Sequence, residues 1–109
     1  MKDTVEILQE LGYIFKKLNK IDNKILGTRK KIDIYEGVNL KSFFVAIFRP
    51  KQKSRFVMKN ANDLEELFNT LVLAQKHNIK KKVLLLAPAI CSKSKSYLIE
   101  NGWKIYDIV

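Results

Sequence analysis

The sequence contains few of the residues that form disulfide bonds or structural metal sites. Of 109 residues, one is cysteine and one is histidine, so an internal disulfide is excluded and a structural zinc site is not expected. No apolar run reaches the roughly 18 residues of a membrane span, and the N-terminus lacks a signal-peptide pattern. Glycine is scarce, and no glycine-rich phosphate loop is present. We therefore expect a cytoplasmic protein that needs no cofactor and does not associate with a membrane.

Acidic residues are few relative to basic ones. Lys and Arg number 21 against 11 Asp and Glu, which gives a net charge of +10. The hydrophobic content of 47% is that of a globular domain, and the length predicts one domain over residues 1–109. So basic a domain favours a polyanionic partner, nucleic acid before an anionic membrane surface. The alternative is a charged surface that only maintains solubility.

Hydrophobic patterning predicts three consecutive strands in the middle of the chain. Residues 31–35 alternate between apolar and polar, which indicates a half-buried strand. Residues 42–48 form a continuous apolar run, typical of a strand covered on both faces. Residues 55–58 predict a short third strand. Turns are expected at 36–41 and 49–55.

The two turns and the first strand carry the candidate functional groups. Alternation places Asp33 and Tyr35 on the face opposite Ile32 and Ile34. Asp33 is either a functional carboxylate or simply a partner for Lys31. The second turn is dense in cations, a pattern that suits phosphate contacts, with a merely solvated turn as the alternative. Its four cations are Arg49, Lys51, Lys53 and Arg55, with Pro50 stiffening the loop.

The flanking segments are predicted to be mainly helical. A first helix is expected from a cap at Thr4 to Leu18, with an extended segment from Gly12 onward as the alternative. A second helix is expected from a cap at Asn62 to Asn78.

The last third of the chain predicts strand, helix and strand. Residues 80–88 form the strand, Ser92 caps a helix that Gly102 ends, and residues 103–109 form the final strand, with Trp103 in packing contacts. The order αβββαβαβ implies an α/β fold, a mixed central sheet flanked by helices on both faces.

This order, with a basic turn after the second strand, resembles the restriction-endonuclease-like (PD-(D/E)XK) superfamily. That superfamily includes archaeal Holliday-junction resolvases and RecB-type nucleases, and the resemblance covers most of the chain. It implies an acid on one strand and E-x-K on the next, where paired carboxylates hold Mg²⁺. Asp33 takes the first acid position, Ile47 the second and Arg49 the lysine position, so the implied site is degenerate. The alternative is an active endonuclease or junction resolvase that uses Asp33 and Glu36 with Mg²⁺ or Mn²⁺.

The chain is also similar to the catalytic domain of tRNA-splicing endonucleases, across residues 11–17, 27–37, 41–45 and 74–86. That resemblance implies a metal-free triad of Tyr, His and Lys. Tyr35 matches the tyrosine and Lys81 the lysine, but Lys41 stands at the histidine position. The implied role is that of a non-catalytic subunit.

Both resemblances imply a nuclease-like fold that binds nucleic acid, DNA or RNA, with a degenerate catalytic site. A homodimer or a partner subunit is also expected, because the final strand would be an exposed sheet edge. For residues 80–82 the alternative to nucleic-acid binding is that their charges prevent aggregation of the buried strand that follows. The predicted nucleic-acid-binding residues are Arg29, Lys30, Lys31, Lys41, Arg49, Lys51, Lys53, Arg55, Lys80, Lys81 and Lys82.

Overall fold

The computed structural model describes residues 3–24, 27, 31–75 and 79–108. Its element order is αβββαβαβ, as predicted, although two elements differ from the expected ones. The elements are α1 (Thr4–Glu10), β1 (Phe15–Ile21), β2 (Ile32–Asn39), β3 (Phe44–Pro50), α2 (Met58–Gln75), β4 (Ile79–Leu86), α3 (Ser92–Glu100) and β5 (Trp103–Asp107).

The strands form one mixed sheet in the order β1-β2-β3-β4-β5. Strands β1, β2 and β3 pair antiparallel, whereas β3, β4 and β5 pair parallel. One core lies between the sheet and α1, and the other between the sheet and both α2 and α3. This confirms the predicted mixed sheet with helices on both faces. The carboxyl ends of β3, β4 and β5 therefore lie at the edge where β2 begins.

The first helix is shorter than the predicted one. Gly12 adopts a φ of 87°, a left-handed conformation that suits glycine and ends the helix. The following residues pair with β2 as strand β1, so the extended alternative is confirmed and the helix to Leu18 is wrong. The cap is also one residue earlier than predicted, since Asp3 Oδ1 accepts a hydrogen bond from the amide of Val5 (3.2 Å).

The predicted strand over residues 55–58 is wrong. Phe56 forms only a single parallel bridge, with Ile90, and α2 begins two residues later at Met58. The side chain of Asn60 accepts a hydrogen bond from the amide of Val57 (2.9 Å). This bond satisfies an N–H at the start of the helix, as a capping residue does, so the predicted start at Asn62 is wrong. The predicted end at residue 78 lies outside the described residues.

Two further boundaries differ from the predicted ones. Strand β2 continues through Glu36 to Asn39, so the turn between β2 and β3 comes later than predicted. Asn39 Oδ1 stabilises this turn by accepting from the amides of Lys41 and Phe43 (3.0 Å each). Helix α3 is capped by Cys91 rather than by its first residue. No helix within the described residues is long and apolar enough to cross a membrane.

Replacing Gly37 with alanine is expected to lower the free energy of unfolding by about 1–3 kcal/mol through overpacking. An alanine Cβ would lie 2.7 Å from a ring carbon of Phe15, which covers Gly37 from the neighbouring strand. Urea unfolding measures the change. In a Phe15→Leu background the same replacement should cost less, and an equal cost in both backgrounds would contradict the overpacking.

Candidate nucleic-acid interface

The residues that carry the nuclease resemblance lie on one face of two neighbouring strands. Asp33 in β2 is the direct cross-strand partner of Arg49 in β3, and Tyr35 is the partner of Ile47. Directly paired residues point to the same side of a sheet, and Ile47 and Tyr35 both contact the core on the α1 side. Asp33, Ile47 and Arg49 therefore share the α1 face.

Two lysines hold the Asp33 carboxylate. Lys20 Nζ lies 3.3 Å from Oδ1 and Lys51 Nζ lies 3.4 Å from Oδ2. The Asp33 side chain is 17% exposed, whereas both lysines are more than half exposed. Lys20 belongs to β1, a segment that the sequence predicted mainly as helix, so its approach to Asp33 was not anticipated. Alternation along β1 would have identified it once that segment was assigned as a strand.

Arg49 is fixed from the helix side. Its Nη1 donates a hydrogen bond to Oγ1 of Thr4 (2.9 Å), and Thr4 is buried at the start of α1. Arginine keeps its charge at any physiological pH. Arg49 therefore places a permanent, oriented positive charge beside Asp33.

A cleft of about 590 Å³ opens at the carboxyl ends of the parallel strands, where ligands of open α/β sheets usually bind. One part of its lining is charged and the other is apolar. The charged lining consists of Asp33, Arg49, Lys51 and Lys53; the apolar lining includes Ala87, Pro88 and Ile108.

The segment of residues 51–55, called the basic loop from here on, is held at both ends. At its start, the amide of Lys51 donates to the carbonyl of Lys31 (2.9 Å). At its end, Phe56 is buried; its amide donates to Ala89 O (2.8 Å), and its carbonyl accepts from the amide of Cys91 (3.0 Å). The loop lies between the charged cleft and a second cleft of about 350 Å³ on the α2 side.

A site with two carboxylates for magnesium does not fit these residues. Glu36 is buried on the opposite face of β2 from Asp33, because it lies in the same alternation as Ile32 and Ile34. Ile47 offers no ligand atom at the second acid position. Within the described part of the chain, no three His, Cys, Asp or Glu side chains are grouped to hold a metal ion. The alternative pairing of Asp33 with Glu36 is therefore not supported by the geometry.

The remaining predicted residues lie away from the cleft or outside the described residues. Lys41 lies in the turn at the far end of β2, and residues 80–82 lie in the first half of β4, whose carboxyl end borders the cleft. Lys31 is exposed at the start of β2, next to the basic loop. Arg29 and Lys30 lie outside the described residues. Tyr35 and Lys81 belong to strands that are separated by β3.

Lys82 is largely internal. Its Nζ lies 2.7 Å from Glu65 Oε1, and its side chain is only 18% exposed. The same ammonium group lies 4.4 Å from the ring centroid of Phe68, a favourable cation–π position. Lys82 therefore contributes to packing between β4 and α2.

Two other polar clusters lie outside the cleft. Burial and the hydrogen bond between the Tyr13 and Tyr106 hydroxyls (2.7 Å) raise the pKa of Tyr13. The hydrogen bond between Cys91 and the buried Ser94 hydroxyl lowers the pKa of the Cys91 thiol. Both pairs lie at the ends of elements. Tyr13, two residues before β1, contacts Tyr106 in β5, and Cys91 caps α3.

Two solved structures share this fold over 99% of the chain. One is a repair endonuclease from Pyrococcus abyssi, with a TM-score of 0.57 and 13% identity. The other is EndoMS in its apo form, with a TM-score of 0.59 and 14% identity. The chain spans 48% and 47% of those two proteins, about half the length of each. No sequence-family profile and no curated protein matches the chain. The similarity therefore establishes that this chain has the fold of those two structures.

Proposed function

We propose that this chain binds nucleic acid through the charged cleft and the basic loop, and that it does not cleave its ligand efficiently. The observation that carries the proposal is the convergence of Arg49, Lys51 and Lys53 on one cleft in a nuclease-type fold. We also propose descent from the restriction-endonuclease-like superfamily, with Asp33 as the retained motif acid and with Ile47 and Arg49 at the positions that have changed.

Binding would combine phosphate contacts with apolar packing. Lysine and arginine side chains neutralise backbone phosphates and release their counterions, which makes affinity fall with salt. If six to eight cations contact phosphates of a duplex, a log–log salt slope of about −5 to −7 is expected. The apolar lining at Ala87, Pro88 and Ile108 would pack against sugars or bases.

The same residues argue against efficient hydrolysis. The one carboxylate at the motif, Asp33, already contacts two lysines, and Ile47 cannot bind a metal ion. Arg49 stays protonated and so cannot assist a nucleophile by taking up a proton. The site retains cations that can bind a phosphate, and it lacks the second carboxylate and the proton acceptor that would activate water.

The test uses four end-labelled ligands: duplex DNA, single-stranded DNA, a four-way DNA junction and a bulged RNA hairpin. Each is incubated with the protein in Mg²⁺ and Mn²⁺ or in EDTA, and the products are separated on native and denaturing gels. We expect shifted but intact ligands in both conditions, and the strongest shift identifies the preferred ligand. Metal-dependent cutting that Asp33→Asn abolishes would contradict the proposed loss of catalysis. No shift with any ligand at low salt would contradict binding.

We also propose that two copies of the chain, or this chain and a partner subunit, associate through β5. This strand is the last in the sheet order, and an uncovered outer edge is a template for strand pairing. Light scattering during size-exclusion chromatography tests the homodimer. A monomer mass at every protein concentration would contradict self-association and leave the partner subunit as the remaining form of the proposal.

A further inference from the structure

Two cations contact the Asp33 carboxylate, and a third lies on the neighbouring strand, directly across from Asp33. Lys20 comes from β1, Arg49 from β3 and Lys51 from the basic loop. Lys20 and Lys51 contact different oxygens of Asp33, and Arg49 is the cross-strand partner of Asp33. Such an arrangement, in which several donors converge on one carboxylate, is also how a protein binds a phosphate.

We propose that Lys20, Arg49 and Lys51 form one phosphate-binding site, and that Asp33 is its internal occupant, displaced when a backbone phosphate binds. This inference rests on the proposed nucleic-acid binding and adds two statements to it. Lys20 becomes a phosphate contact, although it lies outside the basic loop. Asp33 becomes a competitor of the ligand instead of a metal ligand.

The competition follows from charge. A carboxylate and a phosphodiester each carry one negative charge and accept hydrogen bonds from the same donors. Both cannot be held by Lys20 and Lys51 at once, and a displaced Asp33 stays near the incoming phosphate and repels it. Asp33 therefore lowers affinity for any single phosphate. The protein would discriminate in favour of ligands that offer several phosphates in contact with the cleft and loop together.

Asp33→Asn is expected to tighten binding about 5- to 20-fold at roughly 50 mM salt, in EDTA, and to steepen the salt slope by about one. Fluorescence anisotropy with the preferred ligand measures both quantities. The control is Glu100→Gln, which changes the net charge equally on the exposed end of α3. Circular dichroism establishes that each variant is folded.

A second pair of variants tests the site from the side of the cations. Lys20→Gln is expected to weaken binding about 5-fold and to reduce the salt slope by about one, as the loss of one phosphate contact does. Lys17→Gln is its control, since Lys17 is exposed on the same strand but in the opposite alternation. It should change affinity less than 2-fold. This pair tests Lys20 as a phosphate contact even if Asp33→Asn does not fold, and equal effects of the two variants would contradict the proposed site.

The outcomes separate this inference from the proposed function. If the wild-type protein binds and Asp33→Asn behaves like Glu100→Gln, the proposed displacement of Asp33 is wrong, whereas the proposed nucleic-acid binding stands. If Lys20→Gln and Lys17→Gln behave alike, Lys20 is not a phosphate contact. If neither the wild-type protein nor Asp33→Asn binds any ligand, the proposed function itself is wrong. Tighter binding by Asp33→Asn than by Glu100→Gln in EDTA, together with weaker binding by Lys20→Gln than by Lys17→Gln, supports the inference, because the same cations then hold either the carboxylate or the phosphate.

Discussion

Replacing Glu65 with alanine is expected to lower the free energy of unfolding by about 3–5 kcal/mol. Glu65 Oε1 accepts from Lys82 Nζ (2.7 Å) and from Trp103 Nε1 (2.6 Å). The Glu65 and Lys82 side chains are 14% and 18% exposed, so water screens the pair poorly. Removing Glu65 leaves a largely buried ammonium group without its counter-charge and an indole N–H without its acceptor, and both losses are costly.

Chemical denaturation monitored by tryptophan fluorescence suits this measurement because Trp103 is the only tryptophan. Glu66→Ala is the matched control, since Glu66 is exposed on the same helix. The double variant Glu65→Leu/Lys82→Met removes both charges together and should recover the part of the loss that comes from the unpaired ammonium group, while the Trp103 indole N–H stays without its acceptor. Equal effects of Glu65→Ala and Glu66→Ala would contradict the assigned role of the pair.

Removing three cations from the basic loop is expected to weaken nucleic-acid binding by about two to three powers of ten at roughly 0.1 M salt. The variant is Lys51→Gln/Lys53→Gln/Arg55→Gln. Each lost phosphate contact should also reduce the salt slope by about 0.9 on a duplex. These three side chains are exposed, so the stability of the fold should change little.

The control for this variant removes the same total charge elsewhere. Lys17, Lys93 and Lys95 are exposed on β1 and α3, and their joint replacement by glutamine should weaken binding by less than about 10-fold, through the general field alone. Anisotropy titrations at several salt concentrations compare the two. If both triple variants lose the same affinity, the net charge of the protein, and not the loop, determines binding.

The sequence predicted the fold where local pattern and tertiary environment agree. Strands β3 and β4 each contain a continuous apolar run, residues 45–48 and 83–86, which are buried, and this is why both strands were identified. The pattern failed for β1, because Leu11, Phe15 and Leu18 recur at helical spacing and yet the last two lie in a strand. Pairing with β2, after the turn at Gly12, outweighs that local preference. At residues 55–58 the pattern predicted a strand, but the structure has only a single bridge at Phe56.

For the candidate site, too, the sequence located residues only where it had assigned the element correctly. Asp33 could be placed on its face of the sheet from alternation alone, because the strand that carries it was assigned. The face of Arg49 could not, since residue 49 was assigned to a turn, whereas β3 continues to Pro50. Lys20 could not, since its strand was assigned mainly to a helix. The pairing of Lys82 with Glu65 had no local signal, because 17 residues and a change of element separate them. Contacts of this kind depend on how α2 packs on the sheet, which no short sequence pattern encodes.

The anchoring of Phe56 has a thermodynamic consequence for recognition. A flexible cationic segment loses conformational entropy when it orders on a ligand, and that loss opposes binding. In this protein residues 51–55 connect the end of β3 to Phe56, whose side chain is buried and whose backbone amide and carbonyl are both hydrogen-bonded. Most of the ordering therefore occurs when the chain folds. The loop meets a nucleic acid as a preorganised surface, which favours ligands whose phosphates already have the matching spacing over ligands that the loop would have to wrap.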